Sequence, residues 1–285
     1  MALLALALLT LIWGYNWVVM KVAVHDASPF VFAAWRTIGG ACVLVAVALA
    51  ARKPLRPRHI AMYVWIGVFQ TGVFLGLVTW AVVSAGAGQV AMLSYTMPLW
   101  VSLLAWPALG ERLRWPQGLA IAIAFAGVAC MIGPIKHGAL PSTLALVAGI
   151  SWAIGVILTK RVQRDPAVDL YTLTLWQMLA GGAVLLAVAV LVPGRPTVWS
   201  ESYIFAIAYN IFLATALAYV LWTFVLEQLP ARTASMGTLM NPVLGTLGAW
   251  IQLHEVPSVL DGAGMMLVVA GLFVLTLVDR KTISR

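Results

Sequence analysis

The chain alternates between long apolar runs and short polar connections. Pieces that are polar or contain Pro or Gly separate the runs, as at 52–59, 84–88 and 193–202. A helix rises about 1.5 Å per residue, so roughly 20 residues cross a hydrocarbon core of about 30 Å. The pattern therefore predicts an all-α integral membrane protein with ten transmembrane helices. They are expected at residues 2–20, 30–51, 60–83, 89–109, 116–133, 142–159, 170–192, 203–226, 233–253 and 258–278.

The same pattern occurs twice along the chain. Residues 98–127 align with residues 242–271 at a constant offset, and the alignment superposes Pro98 on Pro242 and Glu111 on Glu255. Other aligned pairs are Trp106 with Trp250, Gly127 with Gly271, Trp13 with Trp152, Lys21 with Lys160, Gly40 with Gly181 and Thr71 with Thr215. A repeat of this length built of apolar helix pairs predicts a duplicated membrane protein.

The duplication predicts two domains, at residues 1–137 and 138–285, with five helices each. Because five is an odd number, the second copy enters the membrane from the side on which the first copy leaves it. We therefore expect two inverted five-helix repeats, related by a pseudo-twofold axis in the membrane plane. Secondary transporters use this architecture and bind substrate near the midplane between the repeats.

Composition agrees with a membrane protein. The chain is 63% hydrophobic and 9% charged, whereas about 25% of residues are charged in an ordinary soluble domain. The formal charge of +8 does not indicate a nucleic-acid partner, because the basic residues lie in short connections between apolar runs. Cys42 and Cys130 lie inside apolar runs, which predicts neither a disulfide nor a metal site. The first apolar run is expected to be a retained helix rather than a cleaved signal.

The basic residues also predict the orientation. If the N-terminus is inside, the outside connections carry only Lys21, Lys136 and Arg195. The inside connections and tail then carry Arg52, Lys53, Arg56, Arg58, Arg112, Arg114, Lys160, Arg161, Arg164, Arg232, Arg280, Lys281 and Arg285. Cytoplasmic segments of membrane proteins are enriched in Lys and Arg. Both termini are therefore expected in the cytoplasm, which requires an even number of spans.

The chain resembles the EamA-type transporters of the drug/metabolite transporter superfamily. The resemblance covers essentially the whole chain and rests on residues 13–17, on Lys21 and Arg36, and on the two Pro-to-Glu-to-Gly blocks. It implies ten helices in inverted repeats, with a cavity lined by helices 1, 3, 4, 6, 8 and 9. It also implies a multi-pass protein of the bacterial cytoplasmic (inner) membrane that exports small metabolites.

The resemblance also suggests a substrate class. The aromatic content is most like the branch that exports aromatic and other apolar amino acids, a branch also associated with cationic toxicants such as methyl viologen. The same fold carries nucleotide sugars, sugar phosphates and amines in other members. Export of another small solute, such as a cationic drug, a nucleoside or an amine, therefore stays open as an alternative.

Polar and aromatic residues within the spans are the candidates for the substrate site. Amide and hydroxyl groups in lipid need partners, so they should face the protein interior, and aromatic rings beside them would stack an apolar side chain or attract a cation. The candidates are Trp13, Asn16, Trp17, Gln70, Thr71, Tyr95, Trp100, Trp152, Asn210, Tyr219, Trp222 and Asn241. The alternative for each is helix packing or a place in an interfacial aromatic belt.

Three further residues are candidates for gating. Pro98 and Pro242 each lack a backbone N–H, which predicts either fixed kinks or a symmetric pair of hinges. Arg36 is the one charge well inside a predicted span. It either extends to the membrane surface, or holds a substrate carboxylate, or biases the gate. Its counterpart in the second copy is Gln177, so any such role belongs to one half alone.

Other classes of protein fit less well. An intramembrane enzyme would need a nucleophile and base or metal ligands at membrane depth, and the predicted spans place neither His nor a carboxylate there. No catalytic residue, metal or cofactor is therefore expected, and no proton relay is visible. A membrane assembly subunit remains an alternative, but it would not require inverted halves with mid-span amides and aromatics. Proton coupling and the oligomeric state stay open.

Overall fold

A computed structural model describes residues 1–52, 55–110, 114–132, 139–231, 234, 238 and 240–283. Helices are the only regular secondary structure in these residues, which confirms the predicted all-α class. The helices are α1 Ala2–Asp26, α2 Pro29–Ala50, α3 Ile60–Ser84, α4 Ala87–Leu109, α5 Trp115–Ile132, α6 Ala139–Val162, α7 Leu170–Leu191, α8 Glu201–Gln228, α9 Met240–Leu253 and α10 Val259–Ile283.

Seven helices in the described part of the chain, α1 to α4 and α6 to α8, are long and apolar enough to cross a membrane. The apolar parts of α5 and α10 are shorter, at Trp115–Cys130 and Val259–Gly271. The predicted start of α9 at 233 and the Glu111 connection lie outside the described residues. The multi-span character is therefore as predicted, while the count of ten spans stays a prediction.

The first and last helices are longer than the apolar pattern predicts. α1 continues past residue 20 to Asp26, so that Lys21 and His25 lie on the helix rather than in a connection. α10 likewise continues beyond residue 278 to Ile283. Polar residues do not by themselves end a helix. The chain leaves α1 only just before Ser28 and Pro29, where Pro29 occupies the first turn of α2.

Two helices contain π-helical segments that the hydrophobic pattern did not predict. Residues Gly67–Val73 within α3 and Asn210–Leu217 within α8 adopt this conformation. They carry Thr71 and Thr215, the residues that the duplication aligns with each other. A π-turn is wider than an α-turn and is often found at functional sites. The deviation therefore occurs at matching places in the two halves.

The helix α4 is broken just before Pro98. Its α-helical pieces are Ala87–Ser94 and Met97–Leu109, separated by Tyr95 and Thr96. Pro98 lies in the first turn of the second piece, where a backbone N–H would have no partner within the helix. The kink or hinge predicted at Pro98 stays a prediction, and the structure places a break in α4 directly before Met97 and Pro98.

Helix packing is unchanged when the first five helices are exchanged with the last five. α1 packs on α9, as α6 packs on α4, and α2 packs on α8, as α7 packs on α3. Likewise, α3 packs on α6, as α8 packs on α1. The contacts of α2 with α7, α4 with α9 and α5 with α10 each pair an element with its own counterpart. Each half thus contributes equivalent helices to the centre of the molecule.

Two glycines at the duplicated positions permit this close packing. A Cβ atom at Gly40 of α2 would lie 2.5 Å from Thr215 Cγ2, and one at Gly181 of α7 would lie 2.4 Å from Thr71 Cβ. Carbon atoms do not approach each other so closely, so both positions require glycine as long as the helices keep this separation. The π-helical segments of α3 and α8 therefore each rest against a glycine of the other half.

Candidate functional site

A small cavity lies at the centre of the helices, between the two halves. Its volume is about 30 Å³, and about one water molecule occupies such a space. It is lined by residues from α1, α2, α3, α4, α6 and α8, namely Trp13, Asn16, Trp17, Met20, Arg36, Phe74, Leu75, Val78, Tyr95, Met97, Trp152 and Tyr219. Seven of the predicted candidates are among them: Trp13, Asn16, Trp17, Arg36, Tyr95, Trp152 and Tyr219.

Aromatic rings form most of one wall. The ring centre of Trp152 lies 4.7 Å from Phe74, 5.3 Å from Trp13 and 5.9 Å from Tyr219. Trp222 packs behind this group, 5.7 Å from Trp152 and 5.9 Å from Trp13. Edge-to-face and tilted contacts of this kind stabilise one another beyond simple burial. The wall presents aromatic rings from both halves to anything that enters the cavity.

A second, smaller aromatic group also lines the cavity. The rings of Trp17 and Tyr95 meet at 6.0 Å, and the hydroxyl of Tyr95 accepts a 2.6 Å hydrogen bond from Nδ2 of Asn241. Asn241 is fully buried and does not line the cavity. Its contact with Tyr95 nevertheless joins the break in α4 to the first turns of the described part of α9, close to Pro242.

Arg36 is buried at the edge of the cavity and does not reach the membrane surface. Only 1% of the residue is exposed, so the predicted extension to the surface is wrong. Its guanidinium donates to Thr215 Oγ1 at 3.3 Å, to Met20 Sδ at 3.3 Å and to the Ala214 carbonyl at 3.5 Å. A charged Arg within the membrane costs at least about 2.5 kcal/mol on insertion scales.

The counterpart of this contact in the other half is uncharged. Gln177 Nε2 donates to Thr71 Oγ1 and to Gln70 Oε1, both at 3.2 Å. The backbone carbonyl of Gln70 also accepts a hydrogen bond from the Tyr219 hydroxyl, at 3.4 Å. The predicted candidates Gln70 and Thr71 are therefore fully buried and do not line the cavity. They form hydrogen bonds with Gln177 and with Tyr219, a residue of the cavity wall. The contact between Arg36 and Thr215 and the contact between Gln177 and Thr71 occupy equivalent places.

Several buried polar atoms around the cavity have no hydrogen-bond partner among the described residues. Asn16 Oδ1 is an acceptor, and Trp152 Nε1, Trp222 Nε1 and Gln70 Nε2 are donors. By contrast, Trp13 Nε1 donates to the Ala214 carbonyl at 3.0 Å. Buried polar groups are nearly always paired, so these four atoms leave hydrogen-bonding capacity unused around the cavity.

The structure does not bring three further candidates to the cavity. Trp100 packs on Phe125 at 5.1 Å and donates to Thr96 Oγ1. Asn210 donates to the Ala206 carbonyl of its own helix. Trp222 contacts the cavity only through the rings in front of it. Conversely, Leu75, Val78 and Met97 line the cavity, but an apolar residue in an apolar span gives no signal in the sequence.

At each end of the molecule, a lysine joins two helices by hydrogen bonds to backbone carbonyls, a contact called here a lysine tie. The two lysines occupy equivalent positions in the two halves. Lys21 Nζ of α1 donates to the carbonyls of Val82 and Ala85 at the end of α3, at 2.8 and 2.9 Å. Lys160 Nζ of α6 donates to the Leu226 carbonyl near the end of α8, at 2.5 Å. A cation at a helix C-terminus is stabilised by the helix dipole and by the free carbonyls.

Each lysine also borders an open cavity. Lys21 lies beside a cavity of about 1110 Å³ that Phe30, Trp80, Arg195 and Glu255 help to line. At the other end, Lys160 lies beside one of about 270 Å³, with Gln163, Arg164 and Glu227. The central cavity therefore lies between two open cavities, and each of these is bordered by one of the two lysines. No group of three or more His, Cys, Asp or Glu side chains suited to a metal occurs in the described residues.

Comparison with known proteins agrees with this arrangement. The sequence model of the EamA-like transporter family matches residues 1–133 and again residues 140–277. The chain is 29% identical over 282 residues to "Uncharacterized transporter YoaV" of Bacillus subtilis, covering 96% of each chain. One crystal structure superposes with a TM-score of 0.73 over 99% of this chain and 98% of the other, and at 22% identity this likeness shows the fold.

Two other relatives have more specific names. The chain is 27% identical to the "Probable amino-acid metabolite efflux pump" of Escherichia coli strain K12, covering 94% of this chain and 92% of the relative. It is 26% identical, with the same coverage, to the protein of that name in Salmonella typhimurium. The family match covers nearly the whole chain, and the protein therefore belongs to the EamA-like transporter family, whose members are membrane transporters rather than enzymes.

Proposed function

We propose that the protein exports aromatic or other apolar amino acids across the bacterial cytoplasmic membrane by alternating access. The observation that carries this proposal is the central cavity, where rings from both halves surround a buried guanidinium and unpaired polar atoms. Aromatic rings favour an apolar or aromatic side chain, and polar groups at the same place suit the backbone of an amino acid. The E. coli and S. typhimurium relatives are named as probable amino-acid metabolite efflux pumps, which supports an amino-acid substrate.

The proposed architecture is two inverted repeats, residues 1–137 and 138–285, with both termini in the cytoplasm. The exchange symmetry of helix packing supports it, as does the separate match of the family to residues 1–133 and 140–277. The lysine ties support it further, since Lys21 and Lys160 occupy equivalent positions and hold opposite ends. In an inverted pair, equivalent residues face opposite sides of the membrane.

In this mechanism the substrate binds between the halves while one entrance is open and leaves through the other. We assign substrate contact to the seven candidates that line the cavity. Gln70, Thr71, Trp222 and Asn241 would support those residues from behind. Pro98 and Pro242 lie next to the contact between Tyr95 and Asn241, which makes the region around them the proposed hinge between α4 and α9.

A cationic substrate such as methyl viologen is the second candidate, because aromatic rings also attract cations. Arg36 opposes it, since a guanidinium at the cavity repels a like charge. Its burial at the cavity edge therefore favours a substrate that carries a negative group.

Flux into liposomes tests the proposal. Purified protein reconstituted in liposomes should give saturable uptake of labelled L-phenylalanine, reduced by unlabelled L-tryptophan and absent from liposomes without protein. Repeating the measurement with an imposed pH gradient separates coupled from facilitated transport. Uptake of methyl viologen without uptake of either amino acid would refute amino-acid export.

A further inference from the structure

Arg36 carries a charge that nothing in the described part of the chain neutralises. Neither the pair of His25 with Asp26 nor the pair of His59 with Asp165 involves Arg36, and none of its hydrogen-bond acceptors is a carboxylate. Buried charges in membrane proteins are normally paired or mark the path of a substrate. Because Arg36 borders the central cavity, an anion placed in that cavity would be its partner.

The contacts of the guanidinium leave room for such a partner. A guanidinium has five N–H donors, and its acceptors here are a hydroxyl, a thioether and a carbonyl, at 3.3 to 3.5 Å. The carbonyl, that of Ala214, already accepts a shorter bond from Trp13 Nε1. The thioether of Met20 is a weak acceptor, whereas a carboxylate binds the guanidinium through two parallel bonds.

The amide of Asn16 offers the complementary group. Its Oδ1 is buried, has no partner among the described residues and lies on the wall of the same cavity. An amide oxygen accepts a hydrogen bond from an ammonium group. Trp152 Nε1, also unpaired on this wall, can donate to a second carboxylate oxygen. An α-amino acid carries a carboxylate and an ammonium on one carbon atom, and these three side chains match that pair.

We propose that Arg36 and Asn16 form a subsite for the α-carboxylate and α-ammonium of a zwitterionic amino acid, whose side chain lies against the aromatic wall. This assignment deepens the proposed amino-acid export and rests on it. It makes charge, in addition to aromatic character, the basis of selection. Amines that lack a carboxylate and carboxylic acids that lack an ammonium are then poor substrates.

The subsite forms in an expanded cavity. The central space holds about one water molecule, so an amino acid enters only when the lining separates. Met20 and Met97 are on that lining, and unbranched methionines rearrange readily. Movement of the Met20 thioether away from Arg36 frees the guanidinium for the carboxylate. Because Gln177 replaces Arg36 in the other half, the cavity has one subsite that binds an anion. The substrate therefore binds in one orientation.

Competition against labelled L-phenylalanine in liposomes tests the subsite. Three competitors share the aromatic ring: L-phenylalanine, phenethylamine without the carboxylate, and 3-phenylpropionate without the ammonium. For the unaltered protein, we expect L-phenylalanine to compete at least about tenfold better than either analogue, the ratio expected for a hydrogen bond to a charged group. Arg36→Gln should lose most of its preference over phenethylamine, whereas Arg36→Lys should keep part of it. Asn16→Leu should lose the preference over 3-phenylpropionate.

Gln177→Ala serves as the matched control, because it removes a buried polar side chain at the equivalent place of the other half. It should keep both preferences, and the thermal stability of each variant in detergent identifies any loss of fold. If Arg36→Gln folds and retains the full preference for L-phenylalanine over phenethylamine, the subsite is refuted while amino-acid export stands. If the unaltered protein carries none of the three compounds, amino-acid export itself is refuted. If Arg36→Gln and Arg36→Lys are both unfolded, equal competition by phenethylamine and L-phenylalanine in the unaltered protein would still overturn the subsite.

Discussion

At the scale of single residues, Trp152 is the best-connected ring of the cavity. It contacts Phe74, Trp13, Tyr219 and Trp222, and its indole N–H is buried without a partner among the described residues. Trp106, in α4, is 56% exposed on the outer surface of the molecule instead. Both are tryptophans in apolar spans, and only their positions in the fold distinguish a cavity residue from a surface one.

We expect Trp152→Leu to weaken transport of L-phenylalanine relative to L-leucine. Each aromatic pair contributes about 0.5 to 1.5 kcal/mol, so the ratio of apparent affinities should fall by roughly two- to tenfold. Competition assays in liposomes measure this ratio. Trp106→Leu should leave it unchanged, and an unchanged ratio in Trp152→Leu would exclude this ring from substrate selection.

The same residues show how far sequence reasoning extends. Polar or aromatic character inside a span was enough to select Trp13, Asn16, Tyr95 and Arg36, and the structure brings these four to one cavity. It was not enough to separate them from Trp100 and Asn210, which do not line the cavity. Both groups of candidates lie in similar apolar sequence, so the sequence alone does not distinguish them. The apolar lining residues could not be found at all, since their positions are set by helix contacts rather than by residue type.

At the scale of helices, the all-helical class and the presence of several membrane spans followed from the hydrophobic pattern, whereas the internal irregularities of the helices did not. A π-turn depends on how a helix packs against its neighbours, so nothing in residues 67–73 or 210–217 marks one in advance. The break in α4 likewise lies at Tyr95 and Thr96 instead of at Pro98. Contacts between helices, rather than local sequence, determine both features.

The close approach of α7 to the π-helical segment of α3 predicts the effect of a single methyl group. In Gly181→Ala, the added Cβ would lie 2.4 Å from Thr71 Cβ and 2.7 Å from the Gly67 carbonyl oxygen. We expect this overpacking to destabilise the fold by about 1 to 3 kcal/mol, measured as a lower unfolding temperature in detergent.

A matched glycine provides the control. A Cβ at Gly118 of α5 meets no atom within 4 Å, so Gly118→Ala should keep or raise the unfolding temperature, because alanine favours a helix over glycine by up to about 1 kcal/mol. If both variants unfolded at the temperature of the unaltered protein, the tight contact at Gly181 would not limit the separation of the helices.

At the scale of the whole molecule, the structure ties both ends at once. Lys21 holds α1 to the end of α3, and Lys160 holds α6 to the end of α8. A transporter that alternates must release one end while the other stays closed, so the two ties should compete. Removing either one then shifts the molecule toward opening at that end.

We expect Lys21→Met and Lys160→Met to have opposite effects on access to the centre. The reporter is Val78→Cys on the cavity wall, in a chain whose Cys42 and Cys130 are replaced by serine, and it reacts with a membrane-impermeant maleimide added from either side. Each lysine variant should raise labelling from its own side by roughly tenfold, as the loss of a hydrogen bond to a charged group implies. Arg56→Met removes an exposed cation and should change neither rate. Equal labelling from both sides in both variants would contradict the assigned ties.

The narrowness of the centre has a consequence for the cell that is separate from substrate choice. A cavity of about 30 Å³ has space for about one water molecule, which is too few to form a continuous file of water between the two entrances. In the described residues, this closed centre therefore offers protons and small ions no continuous path of water. We therefore expect a transporter at rest in this form to leave the proton-motive force of an energised membrane intact.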